Sequence, residues 1–216
     1  MPAETVRRTT LKRIAAGLAG LVAVAAGLVG WAVHRPDVML AQGRCSGGLS
    51  VKKKALVVYA TRAGSTGEVA QVISERLCAA GFDAEVQPVE SVSSLAGFHA
   101  VVLGSAVRFG AWLPEMTRFI ESRRSELAQL PLAIFTLHMQ ALGDDAASRG
   151  TRSGYTKAVR AVATPRDEAF FAGKVDLARL SFFERMAVKL VTSPVGDQRD
   201  WTRIRQWADG MGKALQ

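Results

Sequence analysis

The chain has 216 residues, 49% of them apolar, so it can bury a core and is not disordered as a whole. Its net charge of +9 is concentrated at one end: the first 54 residues hold nine Lys or Arg against Glu4 and Asp37, and the rest is nearly balanced. That distribution speaks against a nucleic-acid-binding surface and for a charged flank to a membrane segment.

Ile14 to Val33 is a 20-residue run without a charge, long enough to cross a bilayer as a helix. It reads as a retained anchor or as a signal segment. Val6-Arg7-Arg8-Thr9-Thr10-Leu11-Lys12 resembles a twin-arginine export signal, with Thr10 where Phe is usual. Basic residues flank both ends of the run, so orientation stays open. The expected organisation is residues 1–34 as basic N-terminus and membrane or signal segment, 35–53 as linker, and 54–216 as the folded domain. Lys52-Lys53-Lys54 leads into that domain.

Ala55 to Tyr59 is a short β-branched run suited to a central parallel strand. A polar turn follows, Thr61-Arg62-Ala63-Gly64-Ser65-Thr66. Val69, Ala70, Val72, Ile73 and Leu77 then fall at helical spacing, with Gly81 as a stop. Ala84 to Val89 is the second strand. Val101-Val102-Leu103 opens the third, which ends at Gly104-Ser105 and gives way to a loop over 105–112. Pro114 starts a helix through Ile120, and Leu132 to Thr136 is the fourth strand. His138 falls in the loop after it. A helix over 156–163, a last strand near Phe170 to Lys174 and a helix from Trp201 complete the domain. Segment 180–191 is apolar on one helical face and basic on another. It suits packing on the domain's own sheet, or a membrane surface near a lipid quinone. Strands alternating with helices predict an α/β domain with a parallel sheet and ligands beyond the carboxyl ends of its strands.

Loop 61–66 carries three hydroxyls, a glycine and the start of a helix, so its forward-pointing N–H groups suit a phosphate. The same turn would also serve as a plain helix cap. It lacks the lysine of a nucleoside-triphosphate loop, which favours a monophosphate. Cys45 and Cys78 stand in no metal or redox spacing; no disulfide framework is expected, and Cys78 reads as a small buried apolar residue. His34, His99 and His138 are scattered, and no metal site is expected.

Residues Thr61 to Thr66 resemble the phosphate loop T-x-[S/T/D]-G-x-T of the flavodoxins, departing at Ala63. Gly104-Ser105-Ala106-Val107-Arg108-Phe109-Gly110 resembles the second flavin loop, and in particular that of the quinone-dependent protoporphyrinogen dehydrogenases. The resemblance continues at Tyr155-Thr156-Lys157, Phe183 to Leu190 and Gly196 to Trp201, and spans about residues 53–215.

The resemblance implies a flavodoxin-like, doubly wound, five-stranded parallel sheet of order 2-1-3-4-5, with flavin mononucleotide (FMN) as cofactor. It assigns the FMN phosphate to Thr61, Arg62, Ala63, Gly64, Ser65 and Thr66. It assigns the isoalloxazine to Ser105, Ala106, Val107, Arg108, Phe109 and Gly110, with Phe109 or Trp112 to stack on the ring. The flavin carries the redox chemistry, so no catalytic side chain is required. The implied activity is an FMN-dependent oxidoreductase at the cell membrane, exchanging electrons with a quinone and oxidising a porphyrinogen. An anchored electron-transfer module for a partner protein, or a flavin-free interaction domain, are the alternatives. Two features depart from those dehydrogenases: the N-terminal apolar run and a shorter stretch between Leu190 and Trp201.

Overall fold

The computed structural model describes residues 38–46, 53–190 and 194–215. The apolar run 14–33 lies outside them. Among the described residues no helix is long and apolar enough to cross a membrane.

One compact unit holds residues 38–176 and 193–216. Its centre is five parallel strands: β2 (Lys54–Ala60), β3 (Asp83–Pro88), β4 (Ala100–Arg108), β6 (Leu132–His138) and β7 (Asp167–Ala172). They lie in the order β3-β2-β4-β6-β7, the 2-1-3-4-5 arrangement expected. Strand β2 pairs with β3 on one side and β4 on the other, so its carboxyl end sits where the strand order reverses. The inner strands are apolar on both faces. Ala55, Val57 and Tyr59 turn to one core with Phe135, Ile73 and Met211; Leu56 and Val58 turn to a second with Ile134, Leu113 and Ile120. This two-sided burial explains why the strands read as continuous apolar runs.

Helix α1 (Ser65–Ala79) and the C-terminal helix cover the first face. Helices α2 (Pro114–Ser122) and α3 (Arg124–Leu127) lie on the second. Gly67 is required by packing, since a Cβ there would stand 2.9 Å from the Tyr59 ring.

Four expectations are corrected. The stretch 105–112 is not a loop: β4 continues through Arg108 and folds back as β5 (Ala111–Trp112), a hairpin closed by Phe109 and Gly110. Both tip residues have positive φ, 52° and 76°, the backbone of a tight hairpin turn. The second correction concerns the linker. Gly43–Cys45 forms an edge strand, β1, antiparallel to β3. The third is a disulfide, Cys45–Cys78, between that strand and the last turn of α1. Their Cα atoms are 6.2 Å apart, inside the bridging range. Sequence spacing carries no trace of it, because pairing of β1 beside α1 creates the proximity. The helix expected over 156–163 is shorter, α5 (Lys157–Arg160), and a helix that was not expected precedes it, α4 (Ala146–Tyr155).

After β8 (Lys174–Val175), residues 177–190 belong to a second unit, in which α6 (Phe182–Leu190) is the described helix. Phe182, Phe183, Met186 and Leu190 of this helix are exposed. The chain then returns through β9 (Gly196–Asp197), paired with β8, to α7 (Trp201–Ala214), capped by the Asp200 carboxylate.

Candidate functional site at the carboxyl edge of the sheet

Loop 61–66 joins β2 to α1 at the switch point. Gly64 is the residue before the helix, with φ 89°, a conformation glycine adopts without cost. Its N–H donates to Thr61 Oγ1 at 3.0 Å, which folds the loop back on itself. Gly64 has no side chain to cap α1, so the leading N–H groups of a 15-residue helix receive no side-chain cap. The Thr66 hydroxyl in that first turn is fully buried and has no hydrogen-bond partner. A buried orphan hydroxyl costs about 1–3 kcal/mol, and this one is placed where an atom bound at the helix start would satisfy it.

The surroundings concentrate the same signal. Five buried side-chain N or O atoms lack partners among the described residues, and three of them ring this loop: Thr66 Oγ1, Arg62 Nε and Glu115 Oε1. Arg62 does not point free into solvent. Its Nη2 donates to Glu115 Oε2 at 3.0 Å, tying the loop to the first turn of α2. Glu68, in the first turn of α1, is met by Arg199 at 2.7 Å. The Arg199 side chain is 3% exposed, also pairs with Asp197 and lies over Trp201. It holds the Asp197 carboxyl below its ordinary range. An anion at the α1 N-terminus therefore faces a carboxylate already neutralised. This segment was legible only as part of a family resemblance; no local pattern marks Arg199.

The hairpin forms the neighbouring wall. Ser105 is buried; its hydroxyl donates to Ala106 O at 2.9 Å and accepts from Leu113 N–H at 3.1 Å, bracing both ends of the turn. Trp112 is buried, and its indole N–H donates to Thr136 Oγ1 at 2.9 Å. It is a prop under the hairpin rather than a ring free to stack. Phe109 is the reverse case, 87% exposed at the tip with the Arg108 guanidinium 5.0 Å from its ring centre. A bulky side chain at positive φ is a strained exception. Ala106 and Val107 are half-buried along the strand, and Gly110 completes the turn.

His138 was expected in a loop and is instead the last residue of β6, buried, with Nδ1 2.6 Å from Gln140 O. Burial lowers its pKa; the contact with Gln140 opposes this, and Arg152 and Arg203 reinforce it. Arg152 donates to the carbonyls of Ala141 and Gly143, so the segment after β6 is held from below by both side chains.

An uncapped helix N-terminus with an orphan hydroxyl, at the switch point of a doubly wound sheet, is the fit a phosphate monoester needs. The family comparison agrees: residues 56–202 match the flavodoxin domain. The chain belongs to the flavodoxin-domain family. Its cofactor is FMN, and Thr66 and the open end of α1 fit the phosphate of that group.

Among curated proteins, the chain is 25% identical over 165 residues to a protoporphyrinogen IX dehydrogenase [quinone] of Leishmania major, covering 74% of this chain and 71% of that one. It is 24% identical over 150 residues to the protein of the same name from Escherichia coli, covering 68% and 83%. Among solved structures, a flavodoxin from the domain Archaea is 15% identical with a TM-score of 0.48, over 75% of this chain and 98% of that one. The flavodoxin-like α/β fold follows from the strand order and the family match, and the family and the curated relatives support an oxidoreductase of the flavoprotein type.

Proposed function

We propose that this chain is a membrane-attached, FMN-dependent oxidoreductase that exchanges electrons with a lipid quinone. The observation that carries the reading is the orphaned Thr66 hydroxyl at the uncapped start of α1, beside a hairpin that offers an exposed aromatic ring. Thr61, Arg62, Ala63, Gly64, Ser65 and Thr66 hold the phosphate, with Arg62 acting through its pair with Glu115. Ser105 to Gly110 line the isoalloxazine, which supplies hydride and single-electron chemistry when bound. The chain's own part is to bind, orient and shield. Ser105 fixes the hairpin, Trp112 supports it from the core, and Arg108 brings a cation to its tip.

The names of the curated relatives point to a porphyrinogen as substrate and a quinone as acceptor. The Arg108–Phe109 pair supports that choice, since pyrrole rings carrying carboxylates find both an aromatic face and a cation there. Two features support membrane attachment: the uncharged run from Ile14 to Val33, and the exposed Phe182, Phe183, Met186 and Leu190 of α6 next to Arg185 and Lys189. The test is anaerobic turnover of protoporphyrinogen IX by the detergent-purified, FMN-loaded full chain with ubiquinone and menaquinone analogues. Quinone-dependent oxidation is expected, and FMN-bearing protein inert with every quinone would overturn the reading. The Cys45–Cys78 disulfide favours a second reading, an anchored electron-transfer module working outside the cytoplasm. Rapid reduction by a reductase without small-molecule turnover would select it.

A further inference from the structure

The residues that lead into the domain are stitched to it in four ways. Gly43, Arg44 and Cys45 pair with Val86, Glu85 and Ala84 of the edge strand β3. The Tyr59 hydroxyl donates to Ala41 O at 3.0 Å, and burial pushes its pKa up to about 12, so it stays a donor at any physiological pH. Arg44 meets Glu85 at 2.7 Å. The fourth tie is covalent, Cys45 to Cys78. The first three need no oxidant, and they hold the two cysteines side by side once the domain has folded.

Among the described residues no cysteine is free, and the chain has only these two. A paired set of this kind persists in oxidising compartments and is rare where thiol reductants act. It lies in a chain whose N-terminus carries Arg7-Arg8 ahead of an uncharged run, which resembles the signal of a route that exports folded proteins, with Thr10 where Phe is usual. Such a route suits a domain that must fold around FMN first. We infer that the FMN domain works on the oxidising face of the membrane, where Cys45 and Cys78 are joined after folding to fix the entering strap to the sheet edge.

The joining step balances by thiol–disulfide exchange. The thiolate of one cysteine attacks the disulfide of an oxidising carrier protein and forms a mixed disulfide. The second thiolate then displaces the carrier, which leaves as a dithiol. Two electrons and two protons pass from the chain to the carrier, and one S–S bond forms as another breaks.

The inference goes beyond the oxidoreductase reading and does not depend on the substrate. A quinone dissolved in the bilayer is accessible from either face, whereas a soluble cytoplasmic donor is not accessible to a domain placed outside. The electron-transfer reading and the quinone both survive this placement; a substrate confined to the cytoplasm does not.

The experiment traps thiols in intact cells making the full chain. Cells are quenched with acid, free thiols are blocked with N-ethylmaleimide, and a mass-tagged maleimide is added with and without prior reduction. Two tags after reduction and none before are expected. Two cysteines blocked at the quench, and so no tag after reduction, would overturn the inference. In parallel, sealed spheroplasts receive a membrane-impermeant phosphine and an impermeant maleimide. Labelling at Cys45 and Cys78 without detergent is expected, and labelling only after detergent would overturn it. FMN content of the same preparations is read separately by absorbance. A chain that carries the disulfide but no FMN would sink the oxidoreductase reading and leave the placement intact.

Discussion

Loop 61–66 leaves polar groups without partners, whereas the hairpin 105–112 consumes nearly all of its own. In the loop, Thr66 Oγ1 and Arg62 Nε are buried and unmatched. In the hairpin, Ser105 makes two hydrogen bonds and Trp112 reaches Thr136; the Phe109 ring stands out into solvent. The first region is incomplete without a ligand and the second is complete as a scaffold. The difference separates what a cofactor must supply from what the fold supplies in advance. The largest effect, though, is expected far from both, which tests whether the carboxyl edge is independent of the strap.

Replacing Cys45 and Cys78 together by Ser opens a loop of 33 residues in the unfolded chain and should cost about 3–4 kcal/mol of stability. Denaturant midpoints of the oxidised protein and the double variant measure this. FMN affinity should stay within about twofold. A parallel loss of FMN would join the strap to the site and break the comparison.

Thr66→Val sharpens it directly. The shape is kept and the orphan hydroxyl removed, so the flavin-free protein should gain about 1 kcal/mol or more. FMN binding, measured by fluorescence quenching, should weaken about tenfold or more through loss of a charge-assisted hydrogen bond. A matching substitution in the hairpin, Trp112→Phe, leaves Thr136 unpaired and should instead destabilise the protein.

Phe109→Asn relieves a bulky residue at positive φ and places the residue preferred there before Gly110. It should stabilise the fold by about 1 kcal/mol, read as a rise in Tm, and lower the turnover rate. Stabilisation without loss of turnover would show that the exposed ring is idle.

The smallest effect is the pH dependence set by His138. Burial lowers its folded pKa beneath the unfolded value, so the unfolded state binds a proton that the folded state refuses. Stability is therefore full above about pH 6.5 and falls as pH drops below it, by at most about 1.4 kcal/mol per unit. The slope between pH 6.5 and 5 should flatten in His138→Asn.

Much of this was legible in the sequence. Val57 and Tyr59 alternate with Leu56 and Val58 between two cores, and a doubly covered strand announces itself as an unbroken apolar run. The loop Thr61 to Thr66 was legible because a glycine before a helix leaves a mark in the residues themselves. The hairpin was not, since Ala106 to Arg108 extend a strand whose inner residues had already ended the apolar run. The roles of Cys78, Arg199 and Trp112 depend on partners distant in the chain or across the sheet: Cys45, Glu68 and Thr136 respectively. No spacing encodes such contacts. The uncharged run Ile14 to Val33, read as a membrane or signal segment, lies outside the described residues.

The central claim is that the open end of α1 holds the FMN phosphate, and a visible spectrum tests it. The full chain is purified in detergent, given FMN and desalted, beside a Thr66→Glu variant that sets a carboxylate where the phosphate belongs. Circular dichroism checks that both are folded. Flavin bands that persist in the parent and vanish in the folded variant are predicted. Equal retention of FMN by both proteins would contradict the account.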